Sequence, residues 1–512
     1  MRYTCSFIDR LAAQPSRPLL WSADTVTKAG DLLTQSTKLA AMLERHGLGD
    51  GDVAVVLAEG GPAFLYIVYA TMMTGLKLAL IDPEMGPDNY QAKLAQLKPA
   101  VVFVDSRLLL LQEHPLVYGP ARRLFHAPYI PWFNGSLLVS IGSWMPLVRR
   151  HERLGRWLKH APPFATSELP ARSGEYLITY TSGTLAEPKG VVHSFAGLEE
   201  SVQHVARMLG DPERLRIATH LPHYMMLSLS MGMPVFAWKQ KWPAAKKLRF
   251  IEQNGITNLF GPPSDYVPMI AALEKEGRRF PDSLRWILLG AAPVYPSFLR
   301  RLRNVLPPHT RVVCIYGMTE NLVVATAELD EKLDFAEPGD LLGRPVDGVE
   351  VRIADDGELL LRSGQCYTRY FHESERPPWH ATGDLARLRS DGSIVLLGRK
   401  KDMIIRGNFN LYPALYEPTI NRMPGIDAAV LLGIYDETRA DEVVYLVVEP
   451  AEDDPSRKDL VRQQIAAALR EGPFAIDRQA LPDEIRLMKL PRSGRSQKVD
   501  RNILRQRLGA SP

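Results

Sequence analysis

Cysteine is nearly absent: the 512 residues hold three, Cys5, Cys314 and Cys366. A set so small and scattered excludes a disulfide framework and a cysteine-based zinc site, and predicts a reducing, cytoplasmic setting. Charge of one sign is also lacking, since 62 Lys and Arg against 58 Asp and Glu leave a net charge of +4. That is too mild over this length for a nucleic-acid face, and it leaves anionic small molecules or lipid surfaces as partners. The N-terminus, M-R-Y-T-C-S-F-I-D-R-L, has no apolar core of leader-peptide length, because Asp9 and Arg10 interrupt it. Long apolar runs are scarce. Pro62 to Ile81 raises the question of a transmembrane span, but Gly75 and Lys77 divide it into a helix-like half and a strand-like half, which predicts no crossing. Internal repeats and low-complexity tracts are missing too.

What is present is an ordinary globular composition, 46% apolar and 23% charged, in a chain too long for one core. From Leu20 to about Arg399, apolar strand-like runs alternate with helical patterns, as in V-A-V-V-L-A near 53, P-A-V-V-F-V-D near 99, T-N-L-F-G near 257, L-R-W-I-L-L-G near 284 and T-R-V-V-C-I-Y-G near 310. This alternation predicts a layered α/β architecture with much parallel pairing, and ligands outside the carboxyl ends of the strands. From Val349 the texture changes to short hairpins, V-R-I-A-D-D-G-E-L-L-L-R and D-G-S-I-V-L-L-G-R, expected to form a small β subdomain. Beyond Lys401 strands mix with a helix near residues 458 to 470. The segment from Arg122 to Arg156 interleaves Arg, Trp, Phe and Leu; it reads either as an insertion packed on the large domain or as a peripheral membrane contact.

Thr181 to Gly190, T-S-G-T-L-A-E-P-K-G, is a loop of small and hydroxylated residues. The backbone around Thr181, Ser182, Gly183 and Thr184 can turn its N–H groups inward, and the hydroxyls and the Lys189 ammonium add donors, as a phosphate cradle needs. An ordinary strand connection has a similar composition. Lys189 precedes the second glycine, so this is not the G-x-x-x-x-G-K-[ST] loop. The flanks favour a phosphate: Tyr176 to Tyr180 reads as a buried strand and Val191-Val192 as a short second one. After Ser194, an N-cap candidate, Leu198, Val202, Val205 and Leu209 repeat at helical spacing.

Other segments offer matching chemistry. Tyr316, Gly317, Met318, Thr319 and Glu320 follow an apolar strand, where a glycine, a hydroxyl and a carboxylate can approach a nucleotide, donate to a phosphate and hold a magnesium ion. Gly290, Ala291 and Ala292 end the preceding strand and are small enough for a flat base to stack near the backbone; a tight strand-to-helix turn would look the same. Asp384, in A-T-G-D-L, follows a glycine in an expected turn, where a carboxylate suits two ribose hydroxyls. Residues 398 to 413, G-R-K-K-D-M-I-I-R-G-N-F-N-L-Y-P, form a charged stretch, and Leu490 to Arg501, L-P-R-S-G-R-S-Q-K-V-D-R, forms a basic tail. His223 and Tyr224 open an apolar, adaptable stretch with Met225, Met226, Leu227 and Leu229 and no acidic residue.

In order and spacing these segments resemble the motifs of the AMP-forming adenylating enzymes, the superfamily of acyl-CoA synthetases, nonribosomal peptide adenylation domains and luciferases. Eight of ten loop positions fit the family's T-S-G-[ST]-T-G-x-P-K-G, with Leu185 and Ala186 as the departures, and Y-G-M-T-E fits Y-G-x-T-E in full. The resemblance implies a large N-terminal domain, residues 1–400, and a small mobile C-terminal domain, residues 401–512. It places ATP or AMP against the loop, Gly290, Ala291, Ala292 and Tyr316 to Thr319, with Thr319 at the α-phosphate and magnesium at Glu320. It gives the ribose to Asp384 and Arg399, the hinge to Lys401, the pantetheine tunnel to Gly407, and the carboxylate entrance to His223 and Tyr224. Lys498 falls on the lysine that reaches the reacting carboxylate and α-phosphate, although Gln497 replaces the usual glycine and one extra residue separates Pro491 from Lys498.

The activity so implied is ATP-dependent conversion of a hydrophobic carboxylic acid to acyl-AMP, followed by transfer to CoA or to an acyl carrier protein. I-T-N-L-F-G-P-P, L-L-G-A-A-P-V and Tyr412 to Pro418 also resemble the olefin-pathway β-lactone synthetases, which close a β-hydroxy acid without CoA. A nucleotide-binding pseudo-enzyme, altered at Leu185 and Ala186, is the non-catalytic alternative.

Overall fold

The computed structural model describes residues 3–22, 25–58, 60–81, 87–113, 135–142, 151–161, 174–180, 189–211, 214–230, 232–406, 409–436, 441–451, 454–493 and 498–509. The chain forms two compact units. The first comprises Met1–Phe260, Met318–Leu322 and Gly364–Arg376; the second comprises Gly261–Gly317, Val323–Ser363 and Pro377–Pro512.

The first unit contains an eight-stranded sheet in the order Arg369–Tyr370, Gly190–Ser194, Glu175–Tyr180, Lys77–Ala79, Val53–Leu57, Val101–Asp105, Leu137–Ile141 and Glu152–Arg153. From Glu175–Tyr180 onward the pairing is parallel. Val53–Leu57 is buried at all five positions, as expected of a parallel strand covered on both faces. Leu137–Ile141 lies within this sheet, so that part of the Arg122 to Arg156 stretch is sheet core rather than membrane surface. Pro62–Thr74 is a helix that opens on proline and stops at Gly75, whose φ of 80° needs no β-carbon. Its side chains are buried around the whole circumference, and no described helix is long and apolar enough to cross a membrane. Ser194 caps Phe195–Leu209, its hydroxyl accepting from the Gly197 N–H at 3.1 Å, and Leu198, Val202, Val205 and Leu209 face the core.

The sheet is closed at one side by antiparallel pairing. Gly190–Ser194 returns against Glu175–Tyr180, and Arg369–Tyr370 adds outside it through Val192 and Val191. A half-buried ion cluster fastens this return. Arg369 meets Glu175 in fork geometry, Nε to Oε1 at 2.6 Å and Nη2 to Oε2 at 2.7 Å, while Lys77 Nζ reaches Oε2 at 2.8 Å. Burial pushes the Glu175 carboxyl up, but the hydrogen bonds and charges of Arg369 and Lys77 outweigh it and hold the pKa at about 2.

In the second unit Trp286–Leu289 runs parallel to Arg311–Met318, and Asn321–Glu328, Asp340–Pro345, Ile394–Arg399, His380–Leu388, Glu358–Arg362 and Glu350–Ile353 follow as an antiparallel series. The expected hairpins are present. Beyond a short 3-10 helix, Lys400–Asp402, the C-terminal section carries its own core of Ile404, Leu411, Ile420, Leu431, Val444, Leu446 and Leu469, around Ile426–Asp436 paired with Asp441–Pro450. Its last helix, Arg501–Gly509, is anchored by Arg501, which grips both oxygens of Glu417 at 2.7 and 2.8 Å and donates to the Leu431 carbonyl. Cys314 and Cys366 are buried thiols, and neither forms a disulfide.

A carboxyl held below its unfolded pKa stabilises the fold above that unfolded value and loses the contribution as pH falls toward the folded one. Glu175→Gln should therefore cost about 2 kcal/mol at pH 7, with the gap from wild type narrowing below about pH 4.5. Urea unfolding at pH 7 and pH 3.5 checks this; an equal gap at both values refutes it.

Candidate active site

Two groups of polar side chains stand out, one in each unit. In the first unit Lys189 lies near the end of the loop, just before the strand Gly190–Ser194, and Glu320 follows the strand Arg311–Met318. Glu320 is buried, and its Oε1 accepts from the Tyr370 hydroxyl at 3.1 Å. Lys189 Nζ lies 4.5 Å from the centroid of the same Tyr370 ring and 3.8 Å from a Glu373 oxygen. The backbone repeats the arrangement: the Tyr367 N–H donates to the Glu320 carbonyl at 2.8 Å and the Phe371 N–H to the Gly190 carbonyl at 2.7 Å. His193, buried and 3.2 Å from the Thr179 hydroxyl, has its pKa pushed down to about 4 by burial, against a hydrogen bond to the Thr319 backbone. At neutral pH it is an uncharged brace for Thr319.

Among the described residues no group of three or more His, Cys, Asp or Glu could hold a metal by itself. A single buried carboxylate fits magnesium nevertheless, since that ion takes one or two carboxylates and completes its shell with phosphate oxygens and water.

In the second unit Asp384 is buried between a cation and a phenol. Arg399 Nε is 2.6 Å from Oδ1, and the Tyr316 hydroxyl donates to Oδ2 at 2.6 Å. Burial raises the Asp384 carboxyl above its ordinary value, opposed by the Arg399 charge and the Tyr316 hydrogen bond. The expected turn is corrected here, because Asp384 lies within the strand His380–Leu388, directly opposite Arg399 in register. Gly383, at φ 70°, and a register shift between Leu385 and Ala386 absorb the irregularity, so the strand continues through T-G-D. Similarly, Tyr316, Gly317 and Met318 belong to the strand rather than following it.

Lys498 opens a two-residue strand paired with Arg492–Ser493. Lys498 is exposed as a residue, but protein around its ammonium and the Arg399 charge lower its pKa, Asp384 raises it, and Lys401 lowers it further. Lys498, Arg399, Lys401 and Asp384 thus form one electrostatic group, and Lys401 is exposed in its 3-10 turn.

Gly290 is buried and its N–H reaches the Gly261 carbonyl at 3.3 Å, while Ala291 adopts φ 63°, a left-handed conformation costly for a residue with a β-carbon. Strain of that kind is tolerated where a turn has a task. Half-buried Ala292 follows it. Tyr224 is buried and stacks on Phe260, with centroids 4.1 Å apart and planes 21° from parallel. Thr181, Ser182, Gly183, Thr184, Leu185, Ala186, Gly407, Gln497 and the His223 side chain lie outside the described residues.

Two residues escaped the sequence. Tyr370, in T-R-Y-F, lies fifty positions from the carboxylate it holds, and Phe260 reads only as part of a strand.

A family model described as AMP-binding enzyme matches residues 7–370. The 2-succinylbenzoate–CoA ligase of Bacillus subtilis (strain 168) is 26% identical over 457 residues, covering 84% of this chain and 85% of that enzyme. The indoleacetate–CoA ligase of Aromatoleum aromaticum is 26% identical over 528 residues, covering 98% and 97%. A structure of the Bacillus subtilis O-succinylbenzoate coenzyme A synthetase, in complex with ATP and magnesium ion, superposes with a TM-score of 0.74 at 23% identity, covering 97% of this chain and 98% of that one, which shows the shared fold. The mixed α/β fold with a smaller C-terminal domain is thereby established.

The charge balance around Lys498 is testable without a ligand. A lysine with lowered pKa carries more neutral amine at pH 8 and acylates faster. Asp384→Asn removes the charge that holds this pKa up and should speed labelling of Lys498 by an N-hydroxysuccinimide ester; Arg399→Gln should slow it. Pulsed labelling with mass spectrometry reads both, and no change in either variant refutes the grouping.

Proposed function

Because the chain belongs to the AMP-binding enzyme family, we propose that this acid–thiol ligase activates a hydrophobic carboxylic acid with ATP and passes the acyl group to CoA. The observation that carries the reading is the Asp384, Arg399, Tyr316 and Lys498 group, a buried carboxylate and a cation within one electrostatic neighbourhood, whose carboxylate we assign to the ribose. In the first step a carboxylate oxygen attacks the α-phosphorus, the bond to the bridging oxygen breaks, and pyrophosphate leaves. Lys498 steadies the charge gathering on the carboxylate and α-phosphate, Thr319 donates to that phosphate, and Asp384 with Arg399 fixes the ribose. Magnesium bound at Glu320 would supply Lewis-acid neutralisation of the phosphates; a similar enzyme binds ATP with magnesium. In the second step a CoA thiolate attacks the acyl carbon and AMP departs.

The assignments of Lys189 and residues 181–184 to phosphate, Gly290, Ala291 and Ala292 to adenine, Lys401 to the hinge and Gly407 to the pantetheine path belong to the same reading. For the acid, the stacked Tyr224 and Phe260 offer flat apolar surface, and relatives named for succinylbenzoate and indoleacetate support an aromatic acid as much as a fatty one.

Lys498→Ala should lower acid-dependent pyrophosphate exchange by about 10²- to 10³-fold, the scale of losing one preorganised charge, while thioester formation from synthetic acyl-AMP persists. If the ammonium is the working form, its lowered pKa makes exchange fall at an alkaline pH below the ordinary lysine range, and that limb disappears in the variant. Retained exchange refutes the role of Lys498. Products from a panel of aromatic and fatty acids, with and without CoA, test the substrate class: a CoA-independent lactone would replace this reading with ring closure, and absence of exchange across the panel would leave a nucleotide-binding protein without catalysis.

A further inference from the structure

Glu320 and Lys189, assigned above to magnesium and to phosphate, share one neighbour. The Tyr370 hydroxyl donates to Glu320 Oε1 at 3.1 Å, and the face of the same ring lies 4.5 Å from Lys189 Nζ. We propose that Tyr370 is a positioning residue for adenylation, holding the Glu320 carboxylate and the Lys189 ammonium in a single arrangement for magnesium-bound triphosphate. The inference rests on the reading of Glu320 and Lys189 under Proposed function.

The geometry separates the two jobs within one side chain. A carboxylate has two oxygens; engaging Oε1 with a phenol fixes the rotation of the group and leaves Oε2 as the oxygen free of that bond, which is how residues behind a metal ligand set its orientation. The ring face attracts an ammonium without consuming any of its three N–H donors, so Lys189 keeps them for phosphate oxygens. Glu373, 3.8 Å from Lys189 Nζ, limits the ammonium from another side.

The segment that carries Tyr370 is built to hold still. Tyr367, almost fully buried, lies against it with ring centroids 4.8 Å apart. The Tyr367 N–H fixes the Glu320 carbonyl and the Phe371 N–H fixes the Gly190 carbonyl, so backbone bonds from donors four residues apart tie this segment to Glu320 and to the residue after Lys189. Arg369, between them, is clamped by Glu175. Both partners are therefore located by the same short stretch that supplies the side chain orienting them.

Calorimetric titration of the full chain with ATP, with excess magnesium or with EDTA and without any acid, reads the two jobs separately. Tyr370→Phe keeps the ring and removes the hydroxyl: ATP binding with magnesium should weaken about tenfold, the low end for loss of a partner behind a metal ligand, while binding in EDTA stays at the wild-type value. Tyr370→Leu should also weaken binding in EDTA, about threefold, on the scale of one exposed cation–ring contact. In a Glu320→Gln background, Tyr370→Phe should add no further loss, because the hydroxyl acts through that carboxylate. Wild-type binding by Tyr370→Phe in both conditions overturns the proposal, and so does an equal loss in both, which marks a merely structural role. Should Tyr370→Phe fail to fold, as read from its urea midpoint, Tyr370→Leu or Tyr370→His in the same two titrations must show the magnesium-specific loss for the proposal to stand. A Glu320→Gln variant that keeps full magnesium dependence would instead sink the assignment of Glu320 itself.

Discussion

Much of the first unit's polar group hangs on one half-buried carboxylate. Glu175 sits at the start of a central strand, and its two oxygens take the Arg369 fork and the Lys77 ammonium. The consequence is topological: Arg369–Tyr370 comes from nearly two hundred residues away and could add to the sheet in a register shifted by one. Such a slip would turn Tyr370 to the opposite face and point Arg369 inward. Three charges balanced at one place specify the register in a way that apolar packing alone does not. Breaking a partly buried set of this kind leaves uncompensated charge, so its value lies more in choosing one arrangement than in net stability.

The second unit reaches a comparable end by register alone. Asp384 and Arg399 are directly opposite in an antiparallel pair, where side chains on one face come closest. Tyr316 then fills the remaining side of the carboxylate from a third strand. Burial alone would push such a carboxyl toward its neutral form; the cation and the phenol together oppose that. A carboxylate so held offers hydroxyl groups a rigid acceptor rather than a mobile surface charge.

The sequence showed what is local. Strands buried on both faces, the Ser194 cap, the Pro62 and Gly75 helix limits and the small-residue strand ends were legible because each depends on spacing within a few residues. The turn expected at Asp384 was wrong for a local reason as well: Gly next to Asp commonly ends a strand, and only pairing on both sides, by Glu358–Arg362 and Ile394–Arg399, carries this one through. Tyr370 was illegible in another way. Nothing in T-R-Y-F distinguishes it from a core aromatic, and its role appears only when the sheet brings it to Glu320 and Lys189.

The hinge proposed at Lys401 gains a physical argument from the charges on either side of it. Lys400 pairs backward, with Asp356 at 2.5 Å and Glu358 at 3.0 Å. Asp402 pairs forward, with Arg505 at 3.2 Å and Arg501 at 3.8 Å, both on the last helix. Lys401 stands where the pairing changes sides. A rotation about its backbone carries each of these ion pairs along intact, whereas the same rotation one residue later would separate Asp402 from Arg501 and Arg505. Buried or half-buried pairs resist such separation strongly. As far as these ion pairs go, they favour residue 401 for the proposed hinge, and Lys498, which precedes Arg501 on the same section, would move with the forward set.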